Sequence, residues 1–287
     1  MKKKKVLSFI LSLSTALGAL GAMPAQAAGS ILPDITGHNF IDIAHHGNTY
    51  VAMSKDTSNR QYANLYTSTD GGVNWTRKKT NMEALISGNK ESQQQLVYWE
   101  DKGVFVAHGS KTSYTSEDGL TWTANANIHW STNTYLTAES KYLLLAGGSG
   151  DASLNAQDNL TTKQYGINKN RILGGDIFRS VAAKPKDENG DIYMFTVGLN
   201  RQYYVKMTPG ESECSWKTVN SNEGDAIPRD VKDMIYAKGA KQFLAVVDSG
   251  KLYAAKDAQN FGLFDVKDGA TVTGIAASDS VIVAGLS

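Results

Sequence analysis

Two stretches of this chain are copies of one another, and no other feature limits its fold as strongly. Tyr66 to Trp75 reads Tyr-Thr-Ser-Thr-Asp-Gly-Gly-Val-Asn-Trp, and Tyr114 to Trp122 reads Tyr-Thr-Ser-Glu-Asp-Gly-Leu-Thr-Trp. Each places a short polar run between a strand entering through Tyr and a strand leaving through Trp. Asp70 and Asp118 are placed to turn their carboxylates onto the amides of their own turn, beside glycines that tolerate a left-handed backbone. Ser68 and Ser116 brace the turn, and Trp75 and Trp122 cover it. An acid beside a serine also fits catalysis, but recurrence at equivalent repeat positions favours a structural plug.

The same period runs through the rest of the chain. An alternating strand, a tight turn and a second, more apolar strand occur six times. The first strands are Phe40 to Ala44, Leu96 to Glu100, Thr134 to Ala138, Phe178 to Ala182, Val231 to Tyr236 and Thr271 to Ala276. The second strands are Tyr50 to Met53, Val104 to Ala107, Tyr142 to Ala146, Ile192 to Val197, Phe243 to Val247 and Val281 to Ala284. Their centres lie 55, 38, 51, 50 and 38 residues apart, which suits a four-stranded unit repeating every ~40 to 50 residues. His46-Gly47-Asn48, Asp101-Lys102-Gly103, Asn189-Gly190 and Lys238-Gly239 mark the intervening turns. A hairpin of the duplicated kind should follow each second strand, decaying along the chain: Asp158 survives in the third and Trp216 in the fourth. The loop from Thr80 to Ser92 is expected to hold a helical turn.

The run Ser68-Thr69-Asp70-Gly71-Gly72-Val73-Asn74-Trp75 resembles the Asp-box, or bacterial neuraminidase repeat, Ser-x-Asp-x-Gly-x-Thr-Trp, of sialidase-like and sortilin-like β-propellers. Asn74 stands for Thr, and the Ser116 to Trp122 copy keeps Thr121 but is one residue shorter. The resemblance implies an all-β fold, a propeller of four-stranded antiparallel blades, with Ser68, Asp70, Gly72, Trp75, Ser116, Asp118, Gly119 and Trp122 as structural box residues. Six blades are expected, the last incomplete with its outer strands supplied from the amino terminus, where Ser30 to Ile35 offers one strand; a truncated seven-bladed ring is the alternative. Sialidases, other glycosidases, sorting-receptor ectodomains and photosystem assembly factors share the box, so it names a fold and not a function.

Export is the next expectation. Lys2 to Lys5, the apolar Val6 to Leu20 and Ala25-Gln26-Ala27 form a secretory signal, giving a cleaved segment 1–27 and one propeller domain, 28–287. The apolar run is too short and too interrupted by serines for a membrane span. Cleavage removes four lysines and no acid, leaving 25 basic and 28 acidic residues. That balance argues against nucleic acid as a partner, and Cys214, alone, allows no internal disulfide.

The resemblance places candidate ligand contacts on loops at the end of the strands away from the boxes. These carry Arg60, Tyr62, Trp130, Arg171, Arg201 and Arg229, with His129, Asp151 and Asp176 nearby. An exposed Trp among arginines suits stacking on a sugar or clasping a peptide. The expected function is a secreted or cell-surface binding or scaffolding propeller for a glycan or an extracellular protein. A sialidase-like glycoside hydrolase is the alternative, and the enzyme assignment leans to no. An enzyme of that family would carry an early Arg-Ile-Pro motif, whereas here the nearest match, Ile227-Pro228-Arg229, is inverted and late.

No cofactor or catalytic metal is expected. His45 and His46, adjacent on a strand, point to opposite faces and cannot share an ion. His108 and His129 come from the next repeat. Weak calcium binding is allowed at Asp151 to Gln157, which alternates oxygen ligands but lacks the glycine and bidentate Glu of a calcium loop, or at Asp187 to Asp191.

Overall fold

The computed structural model describes residues 38–56, 62–83, 86–87, 90–91, 95–108, 112–128, 134–139, 141–147, 153–161, 178–185, 192–198, 202–207, 215–219, 231–256, 261–264, 270–277 and 282–286. Sheet 1 comprises β1 (His38–His46), β2 (Thr49–Asp56), β3 (Tyr62–Ser68) and β4 (Thr76–Glu83), in that order and antiparallel throughout. A small hairpin, β5 (Ile86–Ser87) and β6 (Lys90–Glu91), follows it. Sheet 2 comprises β7 (Leu96–Trp99), β8 (Val104–His108), β9 (Ser113–Ser116) and β10 (Thr123–Asn125). Sheet 3 contains β11 (Thr134–Glu139), β12 (Tyr142–Gly147) and β13 (Ser153–Gln157). Sheet 4 has β14 (Phe178–Lys184), β15 (Ile192–Gly198), β16 (Gln202–Met207) and β17 (Ser215–Val219). Sheet 5 has β18 (Val231–Ala237), β19 (Gln242–Val247), β20 (Leu252–Ala255) and β21 (Gly262–Phe264), and sheet 6 has β22 (Val272–Ala277) and β23 (Ile282–Leu286).

All six strand pairs read from the sequence are present, each as the first two strands of its sheet. The first strands lie side by side in succession: β1 beside β7, β7 beside β11, β11 beside β14, β14 beside β18 and β18 beside β22. They are therefore the inner strands, and each sheet runs outward from them like a blade.

Stacking explains why the second strands are apolar on both faces. In β8, Phe105 and Ala107 pack toward Val51, Met53 and Leu65 of sheet 1, while Val104 and Val106 pack toward Leu136, Leu143 and Leu145 of sheet 3. In β19, Phe243, Ala245 and Val247 join Ala182 of sheet 4, while Leu244 and Val246 join Val272 and Ile275 of sheet 6. A strand between two neighbouring sheets has no solvent face, so its alternate residues serve two cores.

Four inner strands carry a bulge at the same place: between Phe40 and Asp42, Phe178 and Ser180, Val231 and Asp233, and Val272 and Gly274. A bulge re-aims the side chain that follows it.

One expectation needs correction. The region from Thr80 to Ser92 is not one loop: β4 runs to Glu83, and the expected helical turn is replaced by the β5–β6 hairpin, whose strands flank Gly88-Asn89, a two-residue turn signal. Ser153 to Gln157, part of the stretch expected to allow weak calcium binding, is strand β13 paired along β12. The turn marked by Lys238-Gly239 spans Lys238 to Lys241, with Lys241 left-handed at φ 53°. Residues 1–37, with the expected signal and Ser30 to Ile35, lie outside the described residues, as does Asp187 to Asp191. Among the described residues no helix is long and apolar enough to cross a membrane.

Candidate functional site

Three places carry chemistry. The first is the pair of duplicated turns at the end of the strands where β1 meets β2. In the first, the Ser68 hydroxyl donates to Asp70 Oδ1 at 2.7 Å and accepts the Gly72 amide at 2.9 Å. Asp70 Oδ1 accepts the amides of Val73 and Asn74 at 3.2 and 2.9 Å, and Trp75 Nε1 donates to the Gly72 carbonyl at 2.9 Å. In the second, Ser116 donates to Asp118 Oδ1 at 3.0 Å, Leu120 and Thr121 donate their amides to it at 2.7 Å, and Trp122 Nε1 donates to the Gly119 carbonyl at 2.9 Å. Asn74 and Thr121 do the same work, each donating a side-chain hydrogen bond to the second carboxylate oxygen, at 2.6 and 3.2 Å.

These bonds set the acids' charge state. Partial burial opposes ionisation of Asp70, but the Asn74 and Val73 amides, the Ser68 hydroxyl and the Asn74 side chain outweigh it and hold the carboxyl below its usual range. The Thr121 amide leads the same effect at Asp118, against some burial, and brings it to about 2. A carboxylate so committed is a poor proton carrier near neutral pH.

The turns also join elements. The Gly71 amide donates to the Asn48 carbonyl, tying the first turn to the β1–β2 turn. The second docks on sheet 1: Thr67 Oγ1 donates to the Gly119 carbonyl at 2.5 Å and Lys78 Nζ to the Leu120 carbonyl at 3.0 Å. The third sheet's counterpart uses other partners. Asp158 lies 3.8 Å from Lys141 Nζ, and Asn159 Oδ1 takes the Thr161 amide instead.

The second place is a buried polar chain toward the opposite end of sheet 2. His108 and Ser113 are fully buried, with Nδ1 and Oγ 2.7 Å apart, which invites a nucleophile reading. Ser113 however donates its only proton to the Ile128 carbonyl at 3.2 Å, so the imidazole is the donor in this pair and does not activate the hydroxyl. His45 and His46 stack on different tyrosines, Tyr50 and Tyr98, with ring centroids 5.1 and 4.1 Å apart. Among the described residues no three His, Cys, Asp or Glu side chains gather around a metal-sized space.

The third place was missed from sequence. Asp42, just after its bulge, crosses from β1 to the start of sheet 2, where Oδ2 accepts the amides of Gln95 and Leu96, both at 2.7 Å, and Oδ1 accepts the Ile43 amide at 2.8 Å. Asp233 occupies the same position on β18, and its Oδ2 accepts the Ile275 amide of β22 at 3.0 Å. Burial pushes the Asp42 carboxyl up to about 7, with the charge of Asp233 adding and the three amides opposing. Burial likewise raises Asp233 to about 6, against the Ile275 and Met234 amides and the charge of Lys232. Both acids keep part of their surface open to solvent. The signal was an aligned pattern, Phe40-Ile41-Asp42, Phe178-Arg179-Ser180, Val231-Lys232-Asp233 and Val272-Thr273-Gly274, with a small or acidic residue two after an apolar one.

Of the predicted ligand contacts, Tyr62 begins β3 and pairs with Glu83. Arg60, Trp130, Arg171, Arg201 and Arg229, with His129, Asp151 and Asp176, lie outside the described residues.

No family model and no curated protein matches the chain. Among solved structures it is similar to YCF48 bound to D1 peptide, at 13% identity and TM-score 0.51 over 90% of this chain and 78% of that one. It is also similar to YCF48 from Cyanidioschyzon merolae, at 14% identity and TM-score 0.53 over 87% and 81%. A chain of a nidogen/laminin complex gives 10% identity and TM-score 0.57 over 86% and 88%. At such identities the likeness speaks to the fold: with four-stranded antiparallel sheets in succession, the chain is a β-propeller.

Proposed function

We propose that this chain is an exported, non-catalytic binding propeller of the Asp-box kind, gripping an extended segment of an extracellular or cell-surface protein through the loops opposite its boxes. The observation that carries the reading is how the reactive-looking groups are spent. Asp70 and Asp118 satisfy their own turns, and the Ser113 proton is committed to a carbonyl. What remains for recognition are the residues that the sequence offers as ligand contacts, Arg60, Tyr62, Trp130, Arg171, Arg201 and Arg229, residue types that stack on and clasp extended ligands. Propeller neighbours solved with a D1 peptide and within a nidogen/laminin complex support a peptide or protein ligand over a sugar.

The test is a surface-displayed peptide library and a glycan array probed with the mature chain, beside a panel of fluorogenic glycosides. The expected result is peptide capture that Trp130→Ala or Arg171→Ala weakens about tenfold or more, in line with hot-spot losses of ~1.4 kcal/mol and above. Glycoside turnover abolished by substituting loop acids would overturn it in favour of the hydrolase. Capture confined to glycans would move the ligand class.

A further inference from the structure

A short turn stands between the last strand of sheet 2 and Trp130. Ala126–Ile128 forms a single 3-10 turn directly after β10, and Trp130 follows two residues later. Contacts with both neighbouring sheets hold this turn. The Ile128 side chain is fully buried among Val104 and Val106 of sheet 2 and Leu136, Leu143 and Leu145 of sheet 3. Its carbonyl accepts the Ser113 hydroxyl at 3.2 Å. The Asn125 and Asn127 side chains both donate to the Leu160 carbonyl, at 3.2 and 3.3 Å, and Asn125 Oδ1 accepts the Asn127 amide at 3.0 Å. A three-residue turn has little hydrogen bonding of its own, so its place is set by these partners.

Ser113 is itself fixed from farther away. His108 Nδ1 donates to Ser113 Oγ at 2.7 Å, the His108 amide donates to the Gln95 carbonyl at 2.7 Å, and the Gln95 amide donates to Asp42 Oδ2 at 2.7 Å. Gln95, His108 and Ser113 are fully buried. Hydrogen bonds in such surroundings are strong, and each leaves an orphaned polar group if its partner moves. The chain of bonds runs from β1 of sheet 1, across sheet 2, to the turn before Trp130. Apolar side chains of similar volume could fill the same space; what the polar pair adds is a fixed direction for the Ile128 carbonyl.

The geometry points to His108 and Ser113 as positioning residues: they orient the turn Ala126–Ile128, from which the segment carrying Trp130 departs, and so set how tightly the loop end grips a peptide. This rests on the reading of Trp130 as a ligand contact. Support for the turn comes from residues that never touch the ligand, so their effect on affinity passes through Trp130.

The experiment measures the affinity of the mature chain for a peptide captured from the displayed library, for wild type, Ser113→Ala, Trp130→Ala and the double variant. Val246→Ala, in the core between sheets 5 and 6, is the control. Destabilisation alone leaves the affinity of the folded fraction unchanged, so Val246→Ala should bind as wild type does. Ser113→Ala should weaken binding about fivefold, and less than about twofold once Trp130 is already alanine. Losses that multiply in full, or equal affinities for Ser113→Ala and Val246→Ala, would sink the positioning role. Two measurements on the unliganded chain decide that role even where wild type captures no peptide, a result that removes the peptide reading alone. Side-chain nitrogen NMR of the wild type should show His108 protonated at Nδ1. Amide hydrogen exchange at Ala126–Ile128 should rise about tenfold in Ser113→Ala and stay unchanged in Val246→Ala. A His108 ring bearing its proton only on Nε2, or equal exchange in the two variants, would refute it.

Discussion

Gly119 and Gly72 occupy equivalent places in the two boxes, and the structure assigns them different costs for the same substitution. Both backbones are left-handed, at φ +75° and +89°, so an alanine at either costs ~1 to 2 kcal/mol. A Cβ on Gly72 would meet only Trp75 Cζ2 at 3.9 Å, an ordinary contact. On Gly119 it would meet Val51 Cγ2 at 2.8 Å, Thr67 Cγ2 at 3.1 Å and Thr49 Cγ2 at 3.3 Å. Val51 is fully buried and β-branched, so it cannot rotate away, and overpacking of this kind adds ~1 to 3 kcal/mol. Gly72→Ala should therefore cost ~1 to 2 kcal/mol and Gly119→Ala ~2 to 5 kcal/mol. Urea unfolding at pH 7 measures both. Removing the offending methyl with Val51→Ala should make the Gly119→Ala effect smaller in that background than in wild type, a coupling that two independent losses would not show. Equal costs for the two glycines, or strict additivity with Val51→Ala, would refute the view that the second box is a contact between sheets.

Asp118→Ala strips two amides and two side-chain hydroxyls of their acceptor and should cost ~1 to 2 kcal/mol by urea unfolding, comparable to loss of a helix cap. Because its folded carboxyl sits near 2, the stability it confers is present above about 4 and lost as pH falls toward 2; Asp118→Asn should flatten that acid limb in circular dichroism. Thr67→Val, nearly isosteric, removes one of the two donors of the Gly119 carbonyl, which keeps the Trp122 indole, and should cost ~0.5 to 1.5 kcal/mol, while Lys78→Met at the exposed Leu120 carbonyl should cost under ~1 kcal/mol. Phe105→Ala empties the core shared by sheets 1 and 2 and should lower stability by ~3 to 5 kcal/mol, with calorimetry as the check.

The parts of the fold legible in the sequence were those whose pattern follows from burial. A second strand such as Val104–His108 is buried at every position, and the unbroken apolar run Val104 to Ala107, set just after a turn glycine, suits a strand covered on both faces. The outer strands gave no such signal. Thr76–Glu83 is Thr-Arg-Lys-Lys-Thr-Asn-Met-Glu and Thr123–Asn125 is three mostly exposed residues, so their strand character comes from pairing with β3 and β9, not from their own composition. Asp42 was hidden for a different reason. In strict alternation one acid in an apolar strand reads as a solvent-facing position, and only the bulge after Phe40 turns it to the amides of Gln95 and Leu96. The docking of Gly119 against Val51 was likewise beyond sequence, because it joins residues separated by a whole repeat.

The two ends of the strands are under different physical constraints. At the box end, carbonyls, amides and hydroxyls are committed: Gly71 to Asn48, Thr67 to Gly119, Lys78 to Leu120, and Trp99 Nε1 to the Lys141 carbonyl at 3.2 Å. A substitution there that created a ligand contact would also unsatisfy a turn or open a seam, at a cost of about a kilocalorie or more. Toward the opposite end, the inner strands are fastened from within by Asp42 and Asp233, whose bonds go to backbone amides and so place no demand on which side chains the adjoining loops carry. Loop sequence on that side can therefore vary while both fastenings stay intact, which is the condition under which binding specificity is free to diverge on a constant frame.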